Sequence, residues 1–229
     1  MKISIIIPVF NEADVIEGLI RHLLKTDAEG MICEVLVADG GSTDDTCRVA
    51  EQAGATVIKC SSLGRAIQMN EAAGKATGDV LYFLHADTFP PHSFSKRIIA
   101  AVSNGAVAGC FRLQFDYRHW FLQANAWFTR FDYDAVRFGD QSLFVTRSVF
   151  FDAGKFNESL LLLEDQEIIT RIRNYGKFKI LSAAVTTSAR KYLQNGIYKL
   201  QAIFLLIYLL YRLRLPQPFL FKLYRRLIS

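Results

Sequence analysis

The sequence lacks the paired cysteines and histidines that a structural zinc site or a disulfide framework requires. No Cys-x-x-Cys pair occurs, and no histidine stands at zinc-ligand spacing from a cysteine. The four cysteines are scattered: Cys33, Cys47, Cys60 and Cys110. We therefore expect four reduced residues that pack within the fold.

Two glycine-rich phosphate-binding motifs are also absent. No Gly-x-Gly-x-x-Gly follows the first apolar run, which argues against a dinucleotide oxidoreductase, and the absence of Gly-x-x-x-x-Gly-Lys-Ser/Thr argues against a P-loop NTPase. The stretch His85-Ala86-Asp87 lacks the leading aspartate that an Asp-x-Asp-x-Thr phosphatase needs as its nucleophile. These three enzyme classes are therefore disfavoured.

The N-terminus lacks the features of a signal peptide. The apolar run from residue 3 to residue 10 is broken by Pro8 and closed by Asn11 and Glu12, with no small-residue cleavage site. We expect a cytoplasmic protein. No Gly/Ser/Pro-rich linker or internal repeat divides the 229 residues, so the sequence predicts one domain over 1–190 and a helical extension over 191–229.

Acidic residues are missing from the last quarter of the chain. Residues 1–167 carry 15 Lys and Arg and 22 Asp and Glu, a net charge of −7, whereas residues 168–229 carry 12 Lys and Arg and no acid. Such a segment either faces an anionic partner or repels itself. The sequence signatures of common nucleic-acid modules are absent, so we expect substrate phosphates or a membrane surface and no nucleic acid.

Apolar runs and helical periodicities alternate along the first ninety residues. Buried-strand patterns cover 4–9, 34–38, 56–59 and 80–84, and helical patterns cover 11–25, 42–53 and 65–76. Strand and helix in alternation predict βαβ units with right-handed crossovers. The expected fold class is α/β, with one mostly parallel sheet and a C-terminal helical tail.

The second half is predicted to add strands over 106–115, 142–146 and 179–187 and helices from Ser93 and from Glu164. An aromatic stretch includes Trp120, Trp127 and Phe131. Core packing is the expected role of most of these rings, although rings also form platforms for sugars and apolar groups.

Polar side chains follow three of the predicted strands. They are Asn11 and Glu12, then Asp39, then His85 and Asp87. Ligands of open α/β sheets bind beyond the carboxyl ends of the strands, so this edge is typical of a nucleotide site. Taken singly, Asn11 is also a helix cap, and Asp39 and Asp87 are ordinary turn residues.

Three motifs in this order resemble the family 2 glycosyltransferases with the GT-A fold: Ser4-Ile-Ile-Ile-Pro-Val-Phe-Asn-Glu12, Asp39-Gly-Gly-Ser-Thr-Asp-Asp-Thr46 and Gly78-Asp-Val-Leu-Tyr-Phe-Leu-His-Ala-Asp87. The resemblance implies a nucleotide-sugar donor, with a UDP-sugar expected, and an acceptor that stays unidentified. It places Pro8, Asn11, Glu12 and Asp39 around the nucleoside.

The resemblance also implies a Mg²⁺ or Mn²⁺ ion on Asp87. The usual Asp-x-Asp reads His85-Ala86-Asp87 here, so only Asp87 is carried over as a metal ligand. His85 is left with the ribose, the diphosphate or no contact.

Further candidates come from the same resemblance and from the chemistry of the residues. Arg65 either binds the donor or forms a surface salt bridge, and Arg190 either holds the diphosphate or is a solvated charge. Asp140 is a loose match to an acceptor-side acid.

Glu164 and Asp165 resemble the family's Glu-Asp element, which implies that Asp165 is the base toward the acceptor hydroxyl and Glu164 its support, in an inverting displacement. The alternative is two acids favoured in a first helical turn.

Within the family, the chain resembles the small bacterial arsenosugar-biosynthesis-type transferases, through Gly64-Arg65, Gln68-Met69-Asn70 and Leu84-His85-Ala86-Asp87-Thr88. Other functions remain open. A nucleotidyltransferase shares the architecture but would need a basic, glycine-rich loop after the first strand. A catalytically inactive nucleotide-sugar-binding protein would explain the missing metal acid.

The tail is predicted to be one helix from Tyr192 to Leu215. Its apolar run from Leu200 to Tyr211 has 12 residues, about 18 Å of helix against a hydrocarbon core of about 30 Å. It is too short to span a bilayer. The helix packs against the catalytic domain or a second copy of the chain, or it lies at the inner face of the membrane with its basic residues on anionic headgroups.

Overall fold

A computed structural model describes residues 1–133 and 141–228. Its strands are β1 (Ile3–Val9), β2 (Ile32–Asp39), β3 (Thr56–Lys59), β4 (Val80–Phe83), β5 (Thr88–Phe89), β6 (Ala106–Phe115), β7 (Leu143–Thr146) and β8 (Lys177–Thr187). Its helices are α1 (Ala13–Thr26), α2 (Thr46–Gln52), α3 (Arg65–Lys75), α4 (Phe94–Ser103), α5 (Trp120–Phe128), α6 (Arg147–Asp152), α7 (Glu164–Ile172), α8 (Arg190–Asn195), α9 (Ile197–Arg212) and α10 (Gln217–Leu227).

The described strands form one sheet in the order β3-β2-β1-β4-β7-β6-β8-β5. The first four are parallel, β7 runs antiparallel between β4 and β6, and β6 is parallel to β8. The predicted mostly parallel sheet is therefore confirmed. All of its predicted strands are present, and β5 is an addition that the turn-like sequence around Thr88 did not indicate.

Strand β1 lies at the centre of the sheet and is apolar on both faces. Ile5 and Ile7 pack in one core layer with residues of α1, and Ile6 packs in the other with residues of α3 and α7. Each of these isoleucines has no exposed surface. A continuous apolar run is what a strand covered on both faces requires.

Gln68 of α3 joins the carboxyl ends of β1 and β2. Its Nε2 donates to the carbonyl oxygens of Val9 and Ala38, at 2.8 Å each. A Cβ at Gly40 would lie 2.7 Å from Leu63 Cδ1, at the end of an exposed side chain, and 3.0 Å from the Gln68 amide. The amide thus adds a side-chain link to two strand ends that the sheet pairing and the hydrogen bond from the Gly40 N–H to the Val9 carbonyl also join.

The prediction of one tail helix from Tyr192 to Leu215 is wrong. Gly196 separates α8 from α9 with a φ of 86°, in the region that favours glycine. Helix α9 buries Leu200, Ile203 and Ile207, so one of its faces packs against the domain, as one of the two alternatives predicted.

The prediction of core packing for the aromatic stretch is also wrong. Trp120 and Trp127 in α5 are 66% and 46% exposed, and Phe131 beyond it is 37% exposed. Only Leu122 of this helix is buried. The rings instead lie on the surface, where Trp127 contacts Phe131 and Trp120 contacts Tyr198 of α9.

Within 1–133 and 141–228, no helix has the length and apolar character needed to cross a membrane.

Gln68→Ala tests the link between the strand ends. Loss of the buried amide leaves the two carbonyl groups short of a donor, which should lower the free energy of unfolding by about 1–3 kcal/mol. Urea denaturation measures this change. Gln52→Ala is the control, because Gln52 is exposed and contacts only Arg48 of its own helix in the described structure; equal stability of the two variants would contradict the assignment.

Candidate active site

The site is built on the loops that follow β1 and β2. Asp39, at the end of β2, is buried, and its carboxylate accepts hydrogen bonds from the backbone N–H groups of Gly41, at 3.1 Å, and Ser42, at 3.0 Å. Burial raises its pKa, but these donors and the Ser42 hydroxyl outweigh burial and hold the pKa below its ordinary value. Asp39 is therefore a turn-forming carboxylate that stays ionised at the edge of the sheet.

Asn11 ties the two loops together. Its side-chain oxygen accepts from the N–H of Thr43 at 2.8 Å, and its own N–H donates to Ser42 Oγ at 2.9 Å. Asn11 does not cap α1, whose N-cap residue is Glu12, so the capping alternative for Asn11 is wrong. Asn11 adopts a φ of 55°, a conformation that asparagine tolerates better than most residues.

Helix α1 is capped from the neighbouring loop instead. The N–H of Ala13 donates to Asp44 Oδ2 at 3.3 Å, and that of Glu12 donates to Thr46 Oγ1 at 2.8 Å. The first orphan donors of the helix are thus satisfied across the two loops. Glu12 is left with its carboxylate beside the site.

Glu12, Asp87 and Arg190 form the first charge cluster. Pairing of Thr88 with Thr187 brings the end of β8 beside Asp87, whose carbonyl accepts from the N–H of Ser188 at 3.1 Å. Arg190 Nη2 then lies 3.4 Å from Glu12 Oε2. Burial raises the pKa of Glu12, Arg190 opposes this rise, and the nearby Asp87 carboxylate adds to it.

This cluster suits a hard divalent cation. Mg²⁺ is commonly held by one or two carboxylates together with substrate phosphates, and Asp87 and Glu12 supply two carboxylates close enough to influence each other. The part of the chain that the structure describes contains no group of three or more His, Cys, Asp or Glu side chains that could hold a metal. Two carboxylates alone leave most ligand positions of such an ion unfilled, so an ion held here would need further oxygen ligands from a bound molecule.

Arg65, His85 and Glu164 form the second charge cluster. Arg65 Nη2 contacts both ring nitrogens of His85, Nε2 and, at 2.8 Å, Nδ1, and Arg65 Nη1 lies 3.6 Å from Glu164 Oε1. A guanidinium only donates, so a ring nitrogen of His85 accepts. Arg65 therefore connects the end of β4 with the start of α7. The sequence offered donor binding or a surface salt bridge for Arg65, and neither alternative included this connection.

Glu164 and Asp165 are buried acids, 3% and 8% exposed, at the N-terminus of α7. Burial raises the pKa of Glu164, the Asp165 carboxylate raises it further, and Arg65 lowers it. Among the described residues, Glu164 Oε1 has no hydrogen-bond partner. Leu163, just before the pair, has a φ of 67°, an uncommon conformation for leucine that clusters at functional sites.

Two predicted site residues need separate mention. Pro8 lies in β1 beside Ala38 of β2 and is half-buried, near the loops described above. Asp140 lies outside the described residues.

The sequence did not indicate two residues whose side-chain amides hold the backbone that precedes the acidic pair. Asn70 accepts from the N–H of Phe156 at 3.0 Å and donates to the Phe156 carbonyl at 2.9 Å. Gln217 Oε1 accepts from the N–H groups of Leu161 and Leu162 at 3.1 and 3.2 Å, just before the acidic pair. The motif that contains Gln68 and Asn70 is visible in the sequence, although the supporting role of its amides is not, whereas nothing in the local sequence marks Gln217.

Comparison with known proteins gives relatives in sequence and in fold. A Klebsiella pneumoniae undecaprenyl-phosphate 4-deoxy-4-formamido-L-arabinose transferase is 32% identical over 115 residues, which cover 45% of this chain and 34% of the relative. The chain spans about a third of the length of the curated relatives it matches.

Solved structures share the fold. A mannosyltransferase from Pyrobaculum calidifontis, in complex with GDP-Man and Mn²⁺, has a TM-score of 0.75 at 18% identity over 99% of this chain and 69% of its own. Staphylococcus aureus TarS in complex with UDP-GlcNAc has a TM-score of 0.67 at 19% identity over 82% of this chain and 58% of its own. The predicted GT-A architecture is thereby confirmed.

A family model also matches the chain. It is the model of glycosyl transferase family 2, and it covers residues 4–157, which include both loops, Asp87 and Arg65. The chain belongs to glycosyl transferase family 2.

Proposed function

We propose that the protein transfers a sugar from a nucleotide-diphosphate donor to an acceptor hydroxyl, with inversion at the anomeric carbon. The observation that carries the proposal is the position of Arg65. Its guanidinium contacts His85 at the end of β4 and Glu164 at the start of α7, so the predicted donor edge and the buried acidic pair belong to one site.

The donor lies along the strand ends in this proposal. Pro8, Asn11, Glu12 and Asp39 surround the nucleoside, and Arg65 and Arg190 approach the diphosphate, since guanidinium groups match phosphate geometry. His85 positions Arg65 through their contact rather than replacing the missing metal acid. We expect a UDP-sugar, and the GDP-Man of the Pyrobaculum structure makes GDP-sugars the first alternative to assay.

Asp87, with Glu12 nearby, would hold Mg²⁺ or Mn²⁺. When bound, the ion supplies positive charge to the oxygens of the departing diphosphate. The Mn²⁺ that accompanies GDP-Man in the Pyrobaculum mannosyltransferase supports this choice.

Asp165 is proposed to take the proton from the acceptor hydroxyl, with Glu164 as its supporting residue. A sugar hydroxyl is a poor nucleophile until a positioned base begins to remove its proton. A base on the opposite side of the sugar from the diphosphate requires a single in-line displacement, which inverts the anomeric configuration. Asp140 stays a candidate on the acceptor side.

The acceptor is proposed from the name of a relative, and the subgroup from sequence motifs. The name of the Klebsiella relative contains undecaprenyl phosphate, which supports a lipid-linked or phosphate-bearing acceptor. Placement with the arsenosugar-biosynthesis-type transferases rests on the motifs around Arg65 and His85. An inactive binding protein would bind donor without turnover, and a nucleotidyltransferase would release pyrophosphate, so product analysis distinguishes both from a transferase.

We further propose that residues 1–190 form the catalytic domain and that the extension over 191–229 touches an anionic membrane surface from the cytoplasmic side. Leu205, Leu209 and Leu213 are 55%, 50% and 71% exposed on or just after α9, and Phe219 on α10 is 50% exposed. Exposed basic residues accompany them: Arg212, Arg214, Lys222, Arg225 and Arg226. Apolar side chains with flanking cations suit a membrane interface.

Asp87→Asn should abolish the metal-dependent part of donor binding, because the amide cannot supply the carboxylate charge to a cation. The measurement is thermal stabilisation by a panel of UDP- and GDP-sugars, with and without Mn²⁺; a ligand at about a hundred times its Kd stabilises by roughly 2.7 kcal/mol. Asp79→Asn, at the opposite end of the same strand, is the control. An unchanged Mn²⁺-dependent increment in the Asp87 variant would reject the metal assignment.

Asp165→Asn should leave donor affinity nearly unchanged and lower the transfer rate by roughly 10²–10⁴, the usual contribution of a general base. Donor affinity is read by thermal shift, and turnover is read by release of nucleoside diphosphate. Asp152→Asn, on α6 and away from the acidic pair, should behave as wild type. Full turnover in the Asp165 variant would move the base to Glu164 or Asp140.

Flotation with liposomes tests the tail. Binding should require anionic lipid, weaken at high salt because the charges are screened, and fall in Leu209→Glu but not in Leu24→Glu, a similarly exposed leucine on α1. A protein that stays in the soluble fraction throughout and elutes as a dimer would assign this face to self-association instead.

A further inference from the structure

A cavity of about 410 Å³ lies between α5 and the strands β6 and β8. None of the described residues that line it belongs to the candidate active site. Its walls include three arginines, Arg112, Arg118 and Arg130, together with Tyr117, Trp127 and Gln123. Among the described residues that line it, none is acidic. Such a lining concentrates positive charge in a concave site.

The arginines are held in different ways. Arg112 lies on β6 opposite Ala184 of β8, and its Nε is buried without a hydrogen-bond partner among the described residues. Arg130 Nε donates to the Trp127 carbonyl at 2.9 Å, and its guanidinium lies 4.5 Å from the centre of the Trp127 ring. The cavity thus combines a half-buried arginine on the sheet with a guanidinium that lies over an indole ring.

The nearest carboxylate along the chain is already engaged. Asp116 lies between two lining residues, but its Oδ1 accepts from the N–H of Ala189 at 2.7 Å. It caps the start of the tail rather than lining the cavity. Three arginines at one cavity concentrate positive charge. A phosphate would offset that charge, because guanidinium and phosphate pair with two parallel hydrogen bonds.

The location separates the cavity from the donor diphosphate. Thr187 of β8 pairs with Thr88, the neighbour of Asp87, and the lining residue Ala184 stands three residues earlier on the strand, about 10 Å at 3.3 Å per residue. A group bound there is therefore separate from the diphosphate proposed near Asp87, which leaves the acceptor as the substrate to which it would belong.

We propose that this cavity binds a phosphate group carried by the acceptor, held by Arg112, Arg118 and Arg130. The assignment rests on the proposed glycosyl transfer, since it names the chemical class of the second substrate. A phosphorylated soluble molecule and a lipid phosphate share this chemistry, and the experiment separates the two sources.

The experiment measures binding of glycerol 1-phosphate and of farnesyl phosphate by calorimetry, with glycerol and farnesol as uncharged controls. Wild type should bind a phosphate and not its alcohol, with affinity that weakens as salt rises. Arg118→Gln and Arg130→Gln should each weaken binding roughly tenfold or more, as expected for loss of a charge-assisted contact. Arg112→Gln should do the same if this variant folds. If it does not fold, Arg118→Gln still tests the proposal, because Arg118 is exposed. Arg21→Gln, an exposed arginine on α1, is the matched control.

The outcomes are distinct. Much tighter binding of farnesyl phosphate identifies a lipid source, and similar binding of both identifies a soluble acceptor; either supports the cavity assignment. No phosphate binding by wild type, or equal binding by all arginine variants, would overturn it. Thermal stabilisation by the donor, measured on the same samples, separates the two proposals. Wild type that binds phosphate but is stabilised by no donor contradicts the proposed transfer. Wild type that is stabilised by a donor but binds no phosphate contradicts the cavity assignment alone.

Discussion

The site depends on a single geometric constraint, the fixed spacing between the carboxyl ends of β1 and β2. Gln68 holds the two strand ends through their carbonyl groups, and the loops beyond them exchange hydrogen bonds through Asn11 and Thr43. Asp44 and Thr46, the first residue of α2, also accept from the N–H groups at the start of α1. Hydrogen bonds therefore join the two loops on which the proposed donor site is built.

Charge in the site is arranged as acids paired with arginines from distant parts of the chain. Arg190 reaches Glu12 across 178 positions, and Arg65 lies between His85 and the buried Glu164. Each arginine offsets the burial of a carboxylate while keeping a cation near the place where a diphosphate is proposed to bind. Buried charges tolerate low-dielectric surroundings only with such partners.

Much of the fold was predictable because its signals are local. The isoleucines of β1 and the alternation of strand and helix indicate a parallel sheet directly, and the polar residues after three strands indicate its functional edge. The errors arose where a residue acts across the fold. Asn11 suits a helix cap but bonds the neighbouring loop, Gly196 lies inside an apolar periodicity yet breaks the helix, and Gln217 contacts a loop 55 residues away.

The charge asymmetry of the chain gains a structural meaning from these contacts. The acidic first part and the basic last part fold onto each other: Arg173 pairs with Asp132 and Arg190 with Glu12, so part of the positive charge closes the domain. The basic residues of α9 and α10 remain exposed next to apolar side chains. Gln217 at the start of α10 also accepts from the backbone N–H groups of Leu161 and Leu162, so hydrogen bonds link the basic tail to the segment that leads into the acidic pair.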